Sequence, residues 1–168
     1  MRPSWMRSVA IAIAGSTLTL SCFSTQCRAQ TTTGSQVLFV CEHGNVKSLM
    51  AASYFNQLAE RMRLPFHAVA RGTAPNSTAV PQEIVQGMSR DGFDVSSFHP
   101  SKVNMSDVSA SVRVISIGTV LPAEAQAEGR SKIEQWNDVP PASIDYEAAR
   151  DSLKSHVKAL VEQLAQRK

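Results

Sequence analysis

The stretch that decides the fold runs from Val37 to Ser48 and reads V-L-F-V-C-E-H-G-N-V-K-S. Its first four residues form a continuous apolar run, as expected of a strand that is covered on both faces in a parallel sheet. Five loop residues follow Cys41, and Lys47 with Ser48 then opens a stretch of helical periodicity. The segment is therefore predicted to be a strand, a loop and a helix start.

Cys41 is the residue around which chemistry is expected, because it lies at the mouth of the predicted helix. Unpaired backbone N–H groups and the helix dipole stabilise an anion at a helix N-terminus. Such an anion is either the thiolate itself or a bound oxyanion. The loop is therefore predicted to bring a reactive thiol to an oxyanion.

The rest of the chain alternates strands with helices. A second strand is predicted at 65–70, a helix with proline in its first turn at 81–88, a third strand at 111–118, a weaker fourth strand at 132–136 and a long closing helix from Tyr146 to Leu164. This alternation predicts an α/β domain with a parallel sheet. Ligands of such sheets bind beyond the carboxyl ends of the strands, where Cys41 lies.

Residues 1–29 differ in kind from the rest of the chain. Two arginines precede an apolar stretch, which ends in small and polar residues. The pattern predicts a signal peptide and therefore an exported protein, either periplasmic or secreted. An uncleaved leader that anchors the protein, or a lipid on Cys22, is left open as an alternative. Residues 30–36 are predicted to be a polar tether and residues 37–168 a single domain, with no stable membrane span after processing.

Removal of this leader changes the charge and the cysteine count. The leader holds three arginines and no acidic residue, so residues 30–168 carry 14 basic and 14 acidic side chains. No basic surface for nucleic acid is therefore predicted. Cys41 is the only cysteine of residues 30–168, which excludes a disulfide within them. A lone thiol in an oxidising compartment is either buried and inert or kept for its reactivity.

The segment from Cys41 to Ser48 resembles the C-x5-R-S loop of the low-molecular-weight protein tyrosine phosphatases and of the arsenate reductases that share their fold. Two further segments agree with this resemblance: Ala70-Arg71-Gly72-Thr73 after the second strand, and Trp136 to Pro141 before the closing helix. The resemblance implies a three-layer α/β fold, in which a four-stranded parallel sheet has helices on both faces.

The resemblance also implies roles for the loop residues in a phosphomonoester hydrolase of the tyrosine phosphatase type. Cys41 would be the nucleophile and would form a cysteinyl-phosphate, which water then hydrolyses. Ser48 would help to keep Cys41 ionised. The backbone amides of the loop would hold the phosphoryl oxygens. These loop residues are Glu42, His43, Gly44, Asn45 and Val46.

Lys47 replaces the arginine of the resembled loop. It keeps a positive charge but lacks the planar fork that grips two phosphate oxygens. Weak turnover is therefore expected. Arg71 follows the second strand and would supply a substitute guanidinium if it reached the pocket, although a solvated surface position explains it as well.

Asp138 is the predicted general acid, which would protonate the leaving oxygen and later activate water. The resembled family has an Asp directly before a Pro, whereas Asp138 stands two residues before Pro140. An Asp that caps a turn is the alternative for this residue. Asp145 is instead expected to cap the last helix.

The expected partner is a phosphate-containing small molecule or a phosphoprotein, with no cofactor and no metal, and the oligomeric state is not predicted. Arsenate reduction is an alternative that would need an external thiol, since residues 30–168 lack relay cysteines. A non-catalytic oxyanion-binding module is a second alternative. A metal site on Cys41, Glu42 and His43 is a third, although no second cluster completes four ligands.

Overall fold

The computed structural model describes residues 36–166 of the chain. The predicted signal peptide and residues 30–35 of the predicted tether lie outside the described residues, whereas Gln36 already belongs to the first strand. The described strands are β1 Gln36–Cys41, β2 His67–Gly72, β3 Ser111–Ile117 and β4 Ile133–Trp136. The described helices are α1 Lys47–Arg61, α2 Gln82–Arg90, α3 Met105–Ala110, α4 Ala123–Gly129 and α5 Tyr146–Ala165.

The four strands form one parallel sheet in the order β2-β1-β3-β4. The chain leaves β1 toward β2 on one side and later returns to add β3 on the other side. The strand order therefore reverses at β1, and the crevice beyond its carboxyl end is where open α/β sheets bind their ligands. Cys41 is the last residue of that strand.

Alternate residues of β1 contact the two helical layers. Val37 and Phe39 belong to the core that includes the buried residues of α1 and α5, and Leu38 and Val40 belong to a second core beneath α3 and α4. All four side chains are fully buried. Both faces of the sheet are thus covered, which explains the uninterrupted apolar run. The predicted three-layer fold with helices on both faces is confirmed.

The closing helix α5 packs against α1 through its apolar stripe. Leu153, Val157 and Leu160 of this stripe are buried. Asp145 is the N-cap of α5, and its side chain accepts a hydrogen bond from the backbone N–H of Ala148 at 2.9 Å. Although α5 spans 20 residues, neither it nor any other helix in residues 36–166 is long and apolar enough to cross a membrane.

Candidate active site

The loop between β1 and α1 is held against the neighbouring strand by two glycines. Gly44 has a φ of 78°, in the left-handed region that glycine adopts without strain. A Cβ atom on Gly44 would lie 2.6 Å from the backbone nitrogen of Gly72, at the end of β2. A Cβ atom on Gly72 would lie 2.7 Å from the carbonyl carbon of His43. Neither position has room for a side chain, so the path of the loop depends on both glycines.

The thiol of Cys41 is nearly enclosed, with the residue only 4% exposed. The backbone N–H of Gly44 donates to Sγ at 3.3 Å, and the hydroxyl oxygen of Ser48 lies 3.1 Å from Sγ. A thiolate can only accept hydrogen bonds, so the Ser48 hydroxyl would donate to it. Hydrogen bonds to an ionised group are stronger than those between neutral groups. The loop and the first turn of α1 thus each place one hydrogen-bonding group against the sulfur.

The first turn of α1 leaves its anion-binding groups without a competing side chain. Val46 is the N-cap and offers no side-chain hydrogen bond, and no acidic residue occupies the first turn. The N–H groups of a first turn have no partner within the helix and carry the positive end of its dipole. An oxyanion beside Cys41 would supply the missing acceptors.

Lys47 reaches from the start of α1 toward the end of β3. A Cβ atom on Gly118 would lie 2.8 Å from Lys47 Nζ, so the absence of a side chain at Gly118 makes room for the ammonium group. Gly118 also has a left-handed φ of 58°. Among residues 36–166, no carboxylate forms an ion pair with Lys47. Its charge is therefore available to a bound anion.

Cys41, Lys47 and Gly118 line a pocket of about 190 Å³. That volume is below the roughly 300–1,000 Å³ typical of sites for drug-sized ligands. Its titratable lining residues are Cys41, Glu42, His43, Lys47 and Glu83, and its other lining residues are Asn45, Val46, Pro81, Ile84, Ile117, Gly118, Pro141, Ala142 and Ser143. A positive group and a thiol at a small, largely apolar pocket suit a compact anion with an apolar substituent.

Two loop side chains connect the loop to residues 74–79. His43 Nδ1 lies 3.0 Å from the carbonyl oxygen of Ala74, and the side-chain amide of Asn45 donates to the carbonyl oxygen of Ala79 at 3.0 Å. His43 therefore uses one ring nitrogen to stabilise the loop. No group of three metal-ligating side chains is assembled within residues 36–166.

The structure does not bring Asp138 to the pocket. Its carboxylate is 70% exposed, and both of its oxygens lie 3.0 Å from Nε2 of His156 on α5. Hydrogen bonds from its own backbone N–H and from His156 hold the pKa of Asp138 below its ordinary value. A carboxylate that stays ionised and lies outside the pocket is a poor proton donor for a leaving group. Residues 141–143, further along the same segment, line the pocket instead.

Arg71 is not a substitute for the missing guanidinium. Its Nε and Nη2 atoms bind the two carboxylate oxygens of Asp107 at 3.1 and 3.0 Å. Asp107 also completes the capping box of α3 with Asn104. Arg71 therefore connects β2 to α3, and Lys47 is the only basic residue other than His43 among the lining residues of the pocket.

Glu83, Gly118 and residues 141–143 are pocket residues that sequence reasoning missed. Glu83 lies in α2, Gly118 follows β3 and residues 141–143 follow β4, and only the fold brings them together at Cys41. One signal was available for Gly118, because a glycine directly after a buried strand marks a backbone approach or a turn at the ligand-binding edge of the sheet.

No protein-family model matches the chain, and neither does any curated protein. Solved structures do match it. A low-molecular-weight protein tyrosine phosphatase from Bacillus subtilis is 20% identical with a TM-score of 0.68, over 79% of this chain and 99% of that one. The YwlE arginine phosphatase, a mutant with a phosphorylated active-site serine, is 19% identical with a TM-score of 0.68, over 77% and 95%. An arsenate reductase in the phosphate-binding state is 21% identical with a TM-score of 0.63, over 77% and 98%.

At these identities the likeness shows a shared fold. The chain has the fold of the low-molecular-weight tyrosine phosphatases and arsenate reductases, and the predicted resemblance is confirmed at that level. Because both kinds of protein share the fold, the fold alone does not select between phosphate hydrolysis and arsenate reduction.

Proposed function

We propose that this protein hydrolyses phosphomonoesters slowly, through a cysteinyl-phosphate on Cys41. The observation that carries the proposal is the hydrogen bonding of the Cys41 sulfur by the backbone N–H of Gly44 and by Ser48. The sulfur that these donors bind lies at one small pocket with Val46 and Lys47 at the start of α1, whose first turn has no side-chain cap. Such convergence suits a thiolate nucleophile that attacks a bound oxyanion.

In the proposed reaction, the Cys41 thiolate attacks phosphorus, forming an S–P bond while the bond to the leaving oxygen breaks. Water then attacks the phosphocysteine, forming an O–P bond and returning the electron pair of the S–P bond to sulfur. The loop amides and Lys47 stabilise the charge on the transferred group in both steps.

Lys47 limits the expected rate. An ammonium group is a point charge, whereas a guanidinium donates two parallel hydrogen bonds to a phosphoryl group. Removal of one well-placed donor from an oxyanion site costs roughly 100- to 1,000-fold in rate. We therefore expect substrates with good leaving groups to be cleaved best.

A non-catalytic oxyanion-binding role is the second candidate. One observation favours it: residues 141–143, which line the pocket from the side of α5, include no carboxyl group. Arsenate reduction is a third candidate that rests on the fold it shares with arsenate reductases. It would require an external thiol, since Cys41 is the only cysteine in residues 36–166.

The test compares four forms of the protein with p-nitrophenyl phosphate. Wild type is expected to release nitrophenol slowly, Cys41→Ser to reduce release to background, and Lys47→Arg to raise it about tenfold. Lys158→Arg, on the exposed face of α5, is the matched control and should leave the rate unchanged. If wild type and Lys47→Arg both remain at the Cys41→Ser background, the hydrolase proposal is wrong.

Thermal shifts separate the other candidates. An oxyanion-binding module gains melting temperature with phosphate, arsenate or vanadate although its turnover stays at background. Arsenate reduction produces arsenite when a thiol such as glutathione is present.

Export is proposed from residues 1–29 alone, and the mass of the protein recovered from the periplasm or medium tests it.

A further inference from the structure

Two carboxyl groups line the pocket that contains Cys41. Glu42 belongs to the loop next to the nucleophile, and Glu83 belongs to the first turn of α2. Both residues are exposed, and neither carboxylate has a hydrogen-bond or ion-pair partner within residues 36–166. An unpartnered carboxyl group beside a thiol and an ammonium group is able to exchange protons with a bound molecule.

In-line geometry distinguishes these two carboxyl groups. During phosphoryl transfer the leaving oxygen departs from the side of phosphorus opposite to the attacking sulfur. The loop that contains Glu42 surrounds the sulfur, whereas the wall formed by α2 is a separate element. A proton donor for the leaving oxygen is therefore expected on a wall outside the loop, as Glu83 is.

The position of Glu83 is determined by its neighbours. Ile84 is buried with 1% exposure, and Pro81 precedes the first turn as the N-cap of α2. Both residues also line the pocket. The first turn of α2 is thus fixed between the core and the pocket, and the Glu83 side chain begins at the rim.

We propose that Glu83 is the proton donor and acceptor of this site, in place of Asp138; the inference rests on the proposed function. In the first step, protonated Glu83 gives its proton to the leaving oxygen as the P–O bond breaks and the S–P bond forms. In the second step, the Glu83 carboxylate takes a proton from the water that attacks phosphorus. The thiolate and the protonated Glu83 are thereby both restored.

The test measures leaving-group release from phenyl phosphate and from p-nitrophenyl phosphate, in wild type and in the Lys47→Arg background. Protonation matters most for a poor leaving group. Glu83→Gln is therefore expected to lose about 100- to 10,000-fold on phenyl phosphate and about tenfold or less on p-nitrophenyl phosphate.

Glu124→Gln is the matched control, because Glu124 is an exposed carboxylate in the first turn of α4. Any effect of a first-turn charge on the helix dipole appears in both variants as a shift in melting temperature, whereas the leaving-group dependence changes only with Glu83. An equal loss on both substrates would mean that Glu83 only shapes the wall and would overturn the proposal.

A selective loss in Asp138→Asn, and not in Glu83→Gln, would also overturn the proposal and would return the role to Asp138. If no variant releases a leaving group above the Cys41→Ser background, the proposed hydrolase function fails, and the Glu83 proposal fails with it. If release depends on Cys41 but its leaving-group dependence is unaffected by Glu83→Gln, only the Glu83 proposal fails.

Discussion

Gly87 of α2 lies directly against the ring of Tyr146 at the start of α5. A Cβ atom on Gly87 would lie 2.5 Å from both Cε2 and Cζ of the ring. The Tyr146 hydroxyl donates to Asp91 Oδ2 at 2.7 Å, which restricts the movement of the ring. The contact matters for the site because α2 begins at one wall of the pocket, and the residues just before Tyr146 form another.

We expect Gly87→Ala to separate these two walls. Alanine favours a helix over glycine by about 1 kcal/mol, but overpacking costs about 1–3 kcal/mol. The variant should therefore be less stable in urea and should bind phosphate more weakly. Ser89→Ala, at an exposed position of the same helix, is the control and should not lose stability. A Gly87→Ala protein at least as stable as wild type would contradict the close contact.

Asp91 accepts hydrogen bonds from two tyrosines, at 2.6 Å from Tyr54 and 2.7 Å from Tyr146. Burial raises the pKa of Asp91, but these hydrogen bonds and the charges of Lys154 and Arg150 outweigh it, so the pKa lies below its ordinary value. A carboxylate with a lowered folded-state pKa contributes stability above its ordinary pKa, and this stability is lost as the pH falls through the folded-state value.

Asp91→Asn should therefore lower the free energy of unfolding by about 1–3 kcal/mol at pH 7. The difference between wild type and variant should shrink below about pH 4, where an unfolded Asp becomes protonated. Urea unfolding at pH 7 and at pH 3 measures both effects. A difference that is constant with pH would show that the Asp91 charge does not stabilise this cluster.

Gly118→Ala should disturb the Lys47 ammonium group. The new Cβ would lie 2.8 Å from Nζ, so the lysine must move away from its position beside the pocket. We expect phosphate to raise the melting temperature less than it does in wild type. An alanine in the left-handed backbone region loses about 1–2 kcal/mol of stability whatever it contacts. The control variant must therefore place alanine at another glycine with a left-handed φ.

Gly92→Ala is that control, because Gly92 has a φ of 89° and a Cβ atom added to it would have no atom within 4 Å beyond its own residue and its two chain neighbours. Both variants should lose similar stability, but only Gly118→Ala should lose phosphate stabilisation. If phosphate raises the melting temperature equally in the two variants, Lys47 does not contribute to anion binding.

Ser48→Ala should reduce the reactivity of Cys41, since it removes the hydroxyl group 3.1 Å from Sγ. A hydrogen bond to a charged group contributes about 1.5–3 kcal/mol. We therefore expect iodoacetamide to alkylate Cys41 about tenfold more slowly at neutral pH. Ser53→Ala is the control on the same helix, because Ser53 donates to the carbonyl oxygen of Leu49 and does not contact the thiol. Equal alkylation rates in the two variants would show that the Ser48 hydroxyl does not increase the reactivity of Cys41.

Local patterns in the sequence predicted the centre of this fold. The run from Val37 to Val40 is buried on both sides, and the helix after the loop begins at Lys47, so strand, loop and helix follow from periodicity alone. The short helix α4 carries no such signal. Its residues are mainly alanine and polar residues, and only Ala125 and Gly129 are buried.

The residues around the loop were less predictable because their partners are distant in the chain. Asp138 pairs with His156, which also stacks on Trp136 with ring centroids 4.7 Å apart. Nothing near Asp138 in the sequence indicates that pairing. Glu83 reaches the pocket because the strand order places α2 beside the carboxyl end of β1. Contacts between residues this far apart in the chain leave no pattern in the local sequence.

The close approach of Gly44 to Gly72 has a consequence for the entropy of ligand binding. Ordering one backbone residue costs about 1–2 kcal/mol, so a flexible loop of five residues would lose much of its binding free energy when it closed around an anion. Here the backbone of the loop already lies against the end of β2, where Gly44 and Gly72 approach each other closely. The pocket is thus preorganised, and an oxyanion that enters it keeps the full benefit of the hydrogen bonds and charge that it finds there.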